Sequence, residues 1–177
     1  MKRVLAGLFV AAALAAPAFA ALPEGAVAPD FTLKAALAGN DFNFALKDQL
    51  KKGPVVLYFF PAAFTAGCTV EANAFAEATA DFQAAGATVI GVTAGNIDRV
   101  SEFSKVECRD KFAVAADPGA ALAAKYDAVN ATRAGMSSRT SYVIGKDGKI
   151  AYALTVGTPL PHIENTLRVV RELKARG

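Results

Sequence analysis

The chain has 177 residues and a mass of 18.3 kDa, which allows one ordinary domain with a short appendage and excludes a multidomain assembly. Hydrophobic residues make up 54% and charged residues 20%, at a mean hydropathy of +0.32, so the chain can bury a core and is not disordered. The formal charge of +3 falls to +1 once Lys2 and Arg3 are assigned to a removable leader, which speaks against a nucleic-acid partner, and two cysteines with one histidine supply too few ligands for an ordinary zinc or haem site, so no metal and no cofactor is expected.

Residues 1–20 read as a secretory leader: a positive start, an apolar run from Val4 to Ala16, then Pro17 and the small-residue triplet Ala18-Phe19-Ala20. A membrane anchor fits less well, because the run is Ala-rich, broken by Pro17 and short for a hydrocarbon core about 30 Å thick. Cleavage after Ala20 would leave one domain over residues 21–177. It would work in a bacterial periplasm, where disulfides persist, with no stable membrane association.

In the remainder, Phe31 to Leu33 is a short β-prone piece, and Pro54 to Phe60 reads as a strand buried on both faces. Gly67 to Ala85 predicts a helix with Val70, Ala74, Phe75 and Phe82 on one face, ended by Gly86. Ala87 to Thr93 is a second buried strand. Asn96 then suits an N-cap for a helix carrying Val100, Phe103 and Cys108. Phe112 to Ala115 suits a short strand, and Pro118 opens a short helix to about Tyr126. Thr140 to Ile144 and Lys149 to Leu154 form a hairpin about Asp147-Gly148. A last helix after Pro161 carries the stripe Ile163, Leu167, Val170 and Leu173. Helices separating buried strands, then a hairpin and a closing helix, describe an α/β fold with a mixed central sheet covered on both faces.

The first buried strand runs into Pro61-Ala62-Ala63-Phe64-Thr65-Ala66-Gly67-Cys68, which puts Cys68 in the first turn of a helix. Unpaired N–H groups and the positive end of the helix dipole stabilise a thiolate there, making it a prepared nucleophile. Thr65 can set a hydroxyl beside the sulfur, and Pro61, lacking an N–H, can wall the pocket without competing for a ligand. The alternative makes Cys68 a small buried hydrophobe, Thr65 a cap and Pro61 a strand terminator.

The spacing P-x-x-x-T-x-x-C of Pro61, Thr65 and Cys68 resembles the active-site signature of the peroxiredoxins. Val27-Ala28-Pro29-Asp30-Phe31-Thr32-Leu33 resembles the family's opening motif. Arg139-Thr140-Ser141-Tyr142-Val143-Ile144, followed by Asp147-Gly148, resembles its arginine-bearing strand and hairpin. Together these span almost all of residues 21–177, and Cys68-Thr69-Val70-Glu71 is most similar to the Q-type, or bacterioferritin-comigratory, branch. The resemblance implies a thioredoxin-like fold and a thiol peroxidase acting on hydrogen peroxide and organic hydroperoxides. Peroxide would lie between Thr65, the amides around Cys68 and the Arg139 guanidinium, and Cys68 would become a sulfenic acid. Glu71 either orients Arg139, as family analogy has it, or is a solvated residue in the first turn.

Many Q-type members carry a resolving cysteine five positions beyond the first, where this chain has Asn73. Cys108 is the remaining candidate. Its charged neighbours Lys105, Glu107, Arg109 and Asp110 suggest a partly exposed segment able to fray, as linkage to Cys68 would require. Resolution by an external thiol, as in one-cysteine peroxidases, and a secreted binding module with a structural Cys68–Cys108 disulfide stay open beside it. A disulfide reductase is disfavoured, since no C-x-x-C pair exists. The resemblance further implies a thioredoxin-like or glutaredoxin-like reductant, and a monomer or weak dimer is expected. His162 is expected at the surface or as a cap, without a catalytic role. Arg133 could add positive potential near the site.

Overall fold

The computed structural model describes residues 21–177; the leader assigned to residues 1–20 lies outside the described residues. Seven strands form one sheet: β1 (Thr32–Leu37), β2 (Asn40–Ala45), β3 (Val55–Ala62), β4 (Thr88–Gly95), β5 (Ala113–Ala116), β6 (Thr140–Ile144) and β7 (Ile150–Thr155), in the order β2-β1-β5-β4-β3-β6-β7. β3, β4 and β5 pair in parallel, and every other neighbouring pair is antiparallel. The helices are α1 (Leu46–Leu50), α2 (Ala66–Ala84), α3 (Val100–Val106), α4 (Ala121–Lys125) and α5 (Leu160–Arg176), with short 3-10 turns at Ile97–Arg99 and Pro118–Ala120.

The run VVLYFF becomes a central strand because both of its faces are covered. Val56, Tyr58 and Phe60 join the interior that holds α2, α3 and α5, while Val55, Leu57 and Phe59 join the interior that holds α1 and α4. Phe75 of α2 stacks on Tyr58 at 4.4 Å, and Phe103 of α3 stacks on Phe60 at 5.4 Å, so aromatic packing fixes both helices against β3. Full burial of one such phenylalanine is worth about 2 kcal/mol.

The buried face of α2 is Cys68, Glu71, Ala72, Phe75, Ala76, Thr79 and Phe82; of the residues expected from spacing, Phe75 and Phe82 lie on it and Ala74 packs against the core, while Val70 is 50% exposed. The edge strand β2 and the short α1 went unread in the sequence, since β2 buries only Phe44 and so lacks a clear alternation. Helix α5 begins at Leu160, with Pro161 inside its first turn. Asn96 takes the N-cap position of the 3-10 turn that leads into α3, its carbonyl accepting from the Arg99 N–H at 3.0 Å, but it is left-handed (φ +53) and its side chain makes no capping bond, donating Nδ2–H to the Ala63 carbonyl at 2.7 Å instead.

Candidate active site

The site forms where β3 ends and α2 begins. Pro61 lies past the last β3–β6 pair, Phe59 with Thr140, so its missing N–H costs that ladder nothing. Thr93 Oγ1 donates to the Pro61 carbonyl at 3.2 Å, and with the Asn96 bond to Ala63 this ties the turn to the end of β4. Phe64 sits in the left-handed region (φ +60), a strain of about 1–3 kcal/mol for a bulky residue. Edge-on packing against Phe103 at 5.1 Å and the Arg99 guanidinium 3.8 Å above its ring offset that strain.

Thr65 is the N-cap residue of α2 by its backbone, and the first helical bond runs from the Thr69 N–H to the Thr65 carbonyl. The N–H groups of Ala66, Gly67 and Cys68 therefore have no acceptor within the helix, and Cys68 sits on the third residue of the turn. Thr65 donates its hydroxyl proton to the Ala62 carbonyl at 3.0 Å. That orientation leaves the oxygen lone pairs as acceptors.

Arg139 precedes β6 and brings its guanidinium across to α2. Nη2 is 3.6 Å from the Cys68 sulfur, Nη1 binds Glu71 Oε2, and Nε donates to the Gly157 carbonyl at 3.1 Å. All three edges of the fork are thus engaged. Arg139 is only 9% exposed and Glu71 is fully buried, so the solvated alternative for Glu71 is closed. Burial pushes the Glu71 carboxyl up to about 8, with the charge and hydrogen bond of Arg139 pulling the other way. Its second oxygen, Oε1, is buried without a hydrogen-bond partner. Glycine at 67 leaves room for the guanidinium: a Cβ there would stand 3.1 Å from Arg139 Nη2 and press it aside by a few tenths of an ångström.

Cys108 is placed differently from the sequence expectation. It lies beyond the end of α3 rather than on it, and it is completely buried. Its N–H reaches back to the Phe103 carbonyl at 3.1 Å, which turns the side chain inward while its charged neighbours point out. Those neighbours are held against α2: Asn73 Nδ2 donates to Glu107 Oε2 at 3.1 Å, and Arg109 pairs with Glu77 at 3.1 Å. The charged neighbours are on the surface, as expected, but the Cys108 side chain between them is not. Burial, with the Glu107 charge adding to it, raises the Cys108 thiol well above its ordinary pKa. Both cysteines are free and share the interior between the sheet and α2 and α3.

His162 is the other correction. It is fully buried, bonded to Ser141 and to the Val156 carbonyl, because the first turn of α5 faces β6. Sequence reasoning also passed over Gly67 and Gly157. The glycine directly before Cys68 was a visible signal; the carbonyl of Gly157 had none. Arg133 is exposed, on the segment leading to Arg139. Among the described residues no three His, Cys, Asp or Glu side chains converge as a metal site would need, and no helix is long and apolar enough to cross a membrane.

Comparison with known proteins agrees with this fold. A model described as the AhpC/TSA family matches residues 25–153. The chloroplastic peroxiredoxin Q of Triticum aestivum is 32% identical over 151 residues, covering 85% of this chain and 67% of that one. A putative peroxiredoxin bcp of Helicobacter pylori is 39% identical over 82 residues, which is 46% of this chain and 51% of the other. Among solved structures, the peroxidoxin BcpB of Mycobacterium tuberculosis superposes with a TM-score of 0.76 at 26% identity, covering 85% of this chain and 97% of that one.

Proposed function

Because the chain belongs to the AhpC/TSA family, the peroxiredoxins, and is a thiol peroxidase, we propose that Cys68 is its peroxidatic sulfur, reducing hydrogen peroxide or an organic hydroperoxide. The observation that carries this reading is the Arg139 guanidinium 3.6 Å from the Cys68 sulfur, at the open end of α2. A fixed positive charge and three amides without an acceptor in the helix stabilise the anion that leaves.

The Cys68 thiolate attacks one peroxide oxygen and the O–O bond breaks. The sulfur keeps that oxygen as sulfenic acid, and the other leaves as hydroxide or alkoxide, taking a proton from solvent to become water or alcohol. Thr65 Oγ1 accepts from the peroxide O–H, Arg139 and the amides of Gly67 and Cys68 donate to the departing oxygen, and Pro61 closes the pocket wall. Glu71 positions Arg139.

Resolution by Cys108 is the second part of the proposal. Its thiolate would attack the Cys68 sulfur, the S–O bond would break with hydroxide leaving and taking a proton from solvent to become water, and a disulfide would form for a thioredoxin-like or glutaredoxin-like dithiol to reduce. A buried thiol held in its protonated form is not a nucleophile, so Cys108 has to leave its seat first. Leaving breaks the Asn73–Glu107 and Glu77–Arg109 contacts. It also relieves Arg109 and Asp110, two consecutive left-handed residues (φ +50 and +59). The burial of Cys108 favours one competing reading, resolution by an external thiol. The leader pattern of residues 1–20 supports export, with residues 21–177 acting in a periplasm.

Peroxide consumption with a thioredoxin-like reductant tests the reading. Cys68→Ser is expected to abolish it, and Cys108→Ser to spare the first turnover while losing recycling. A Cys68→Ser protein that still consumes peroxide would refute the assignment, and full recycling in Cys108→Ser would move resolution to an external thiol.

A further inference from the structure

The imidazole of His162, on the first turn of α5, is anchored at both nitrogens. Nε2 lies 3.0 Å from the Val156 carbonyl oxygen and Nδ1 2.8 Å from Ser141 Oγ. A carbonyl only accepts, so Nε2 carries the proton and Nδ1 accepts from the Ser141 hydroxyl. Burial holds the ring's pKa below its ordinary value, against the pull of the Val156 bond, and the nearby Arg139 charge acts in the same downward direction. The ring is therefore neutral and its two hydrogen bonds have a fixed sense.

One anchor lies on the strand that follows Arg139, and the other lies next to the carbonyl that Arg139 binds. Ser141 lies two residues after Arg139 on β6. Val156 opens the four-residue connection 156–159 between β7 and α5, and Gly157 in that connection accepts from Arg139 Nε at 3.1 Å. The guanidinium is planar, so fixing Nε against Gly157 sets the plane in which Nη1 meets Glu71 and Nη2 meets the Cys68 sulfur. Without that third anchor only Glu71 and the sulfur hold the plane.

We propose that His162 is a positioning residue for the Cys68 site, its neutral ring clamping the Val156 carbonyl to Ser141 so that Gly157 holds Arg139 in register with Glu71 and Cys68. The inference rests on the reading that Arg139 activates Cys68. His162 touches neither sulfur nor substrate and acts only through the 156–159 connection and β6.

The test uses the Cys108→Ser protein, in which Cys68 is the single thiol. It reads the rate constant with hydrogen peroxide, the pH profile of Cys68 alkylation by iodoacetamide, and thermal stability. His162→Ala is expected to slow peroxide reduction about tenfold, since misplacing a reacting group is costly, and to shift the alkylation profile to higher pH. His162→Gln, which keeps a donor for Val156, is expected to recover most of the rate. Thr166→Val removes the 2.6 Å bond from Thr166 Oγ1 to the His162 carbonyl without touching the ring, so it is expected to lower stability and leave rate and profile unchanged. Wild-type rate and profile in His162→Ala, or an equal loss in Thr166→Val, would overturn the proposal. If His162→Ala does not fold, Ser141→Ala takes its place, with a smaller slowing expected and an unchanged rate counting against the clamp. An inactive parent protein would instead remove the underlying reading of Cys68, and this inference with it.

Discussion

Replacing Arg139 separates catalysis from stability at this site. Lysine keeps the charge but has one nitrogen in place of a fork, so it cannot serve Glu71, the Gly157 carbonyl and the Cys68 sulfur together. Losing one charge-assisted hydrogen bond to the sulfur is worth about 1.5–3 kcal/mol. At about 1.4 kcal/mol per decade, Arg139→Lys should slow the reaction of Cys68 with peroxide by about 10- to 100-fold. Arg139→Ala loses the same catalytic contact and also leaves the Glu71 carboxylate buried alone, a change of about 3–5 kcal/mol if the acid stays ionised. Burial already pushes Glu71 up to about 8, so at neutral pH the acid takes a proton and softens the loss, which then deepens as pH rises past that value. Adding Glu71→Gln to Arg139→Ala should therefore restore much of the stability and none of the rate. Competition for peroxide against a reporter peroxidase measures the rate in a chain with no tryptophan, and urea unfolding measures stability. Arg139→Lys within about twofold of wild type, or recovery of rate in the double variant, would refute the reasoning.

The pH dependence of Glu71 has a definite sign. A carboxyl raised from 4.5 to about 8 binds more protons folded than unfolded, so its contribution is complete below about pH 4.5 and is lost as pH rises to about 8. Denaturation from pH 5 to 8 should show wild-type stability falling relative to Glu71→Gln; parallel curves would contradict the burial argument. Asn73→Ala with Glu77→Ala removes the two contacts holding the Cys108 turn on α2, together worth about 1.5 kcal/mol, and should speed Cys68–Cys108 linkage about tenfold. Mass mapping of quenched samples follows the linkage, and an unchanged rate would show that those contacts do not limit release. Tyr58→Phe deletes a buried hydroxyl with no hydrogen-bond partner and should stabilise the fold by about 1 kcal/mol in urea unfolding; a clear loss would mean that the hydroxyl is satisfied in solution.

What could be read from the sequence was what local pattern encodes. Pro61, Thr65 and Cys68 stand within eight residues, and the strands VVLYFF and ATVIGVT announce themselves by apolar runs, so the position of Cys68 at a strand-to-helix junction was legible. Arg139 was legible only through the family motif, because nothing local says that β6 lies beside β3 and carries its guanidinium to α2. Cys108 and His162 were misplaced for one shared reason: burial is decided by which way a turn or helix faces in three dimensions. A lone histidine beside two prolines looks like a cap until α5 is laid on β6, where Ser141 meets its ring. A cysteine among charges looks exposed until Asn73 and Glu77 of α2 engage those charges and the thiol is left inside. The edge strand β2 escaped because a strand with a single buried side chain shows no period to find.

Peroxide is expected to oxidise the Cys68 sulfur and no other atom of the protein. Reduced Cys108→Ser protein treated with equimolar hydrogen peroxide and trapped with dimedone should carry a single adduct, mapped to the peptide containing Cys68, and Cys68→Ser should carry none. Peroxide left unconsumed, or an adduct anywhere other than Cys68, would contradict the assignment.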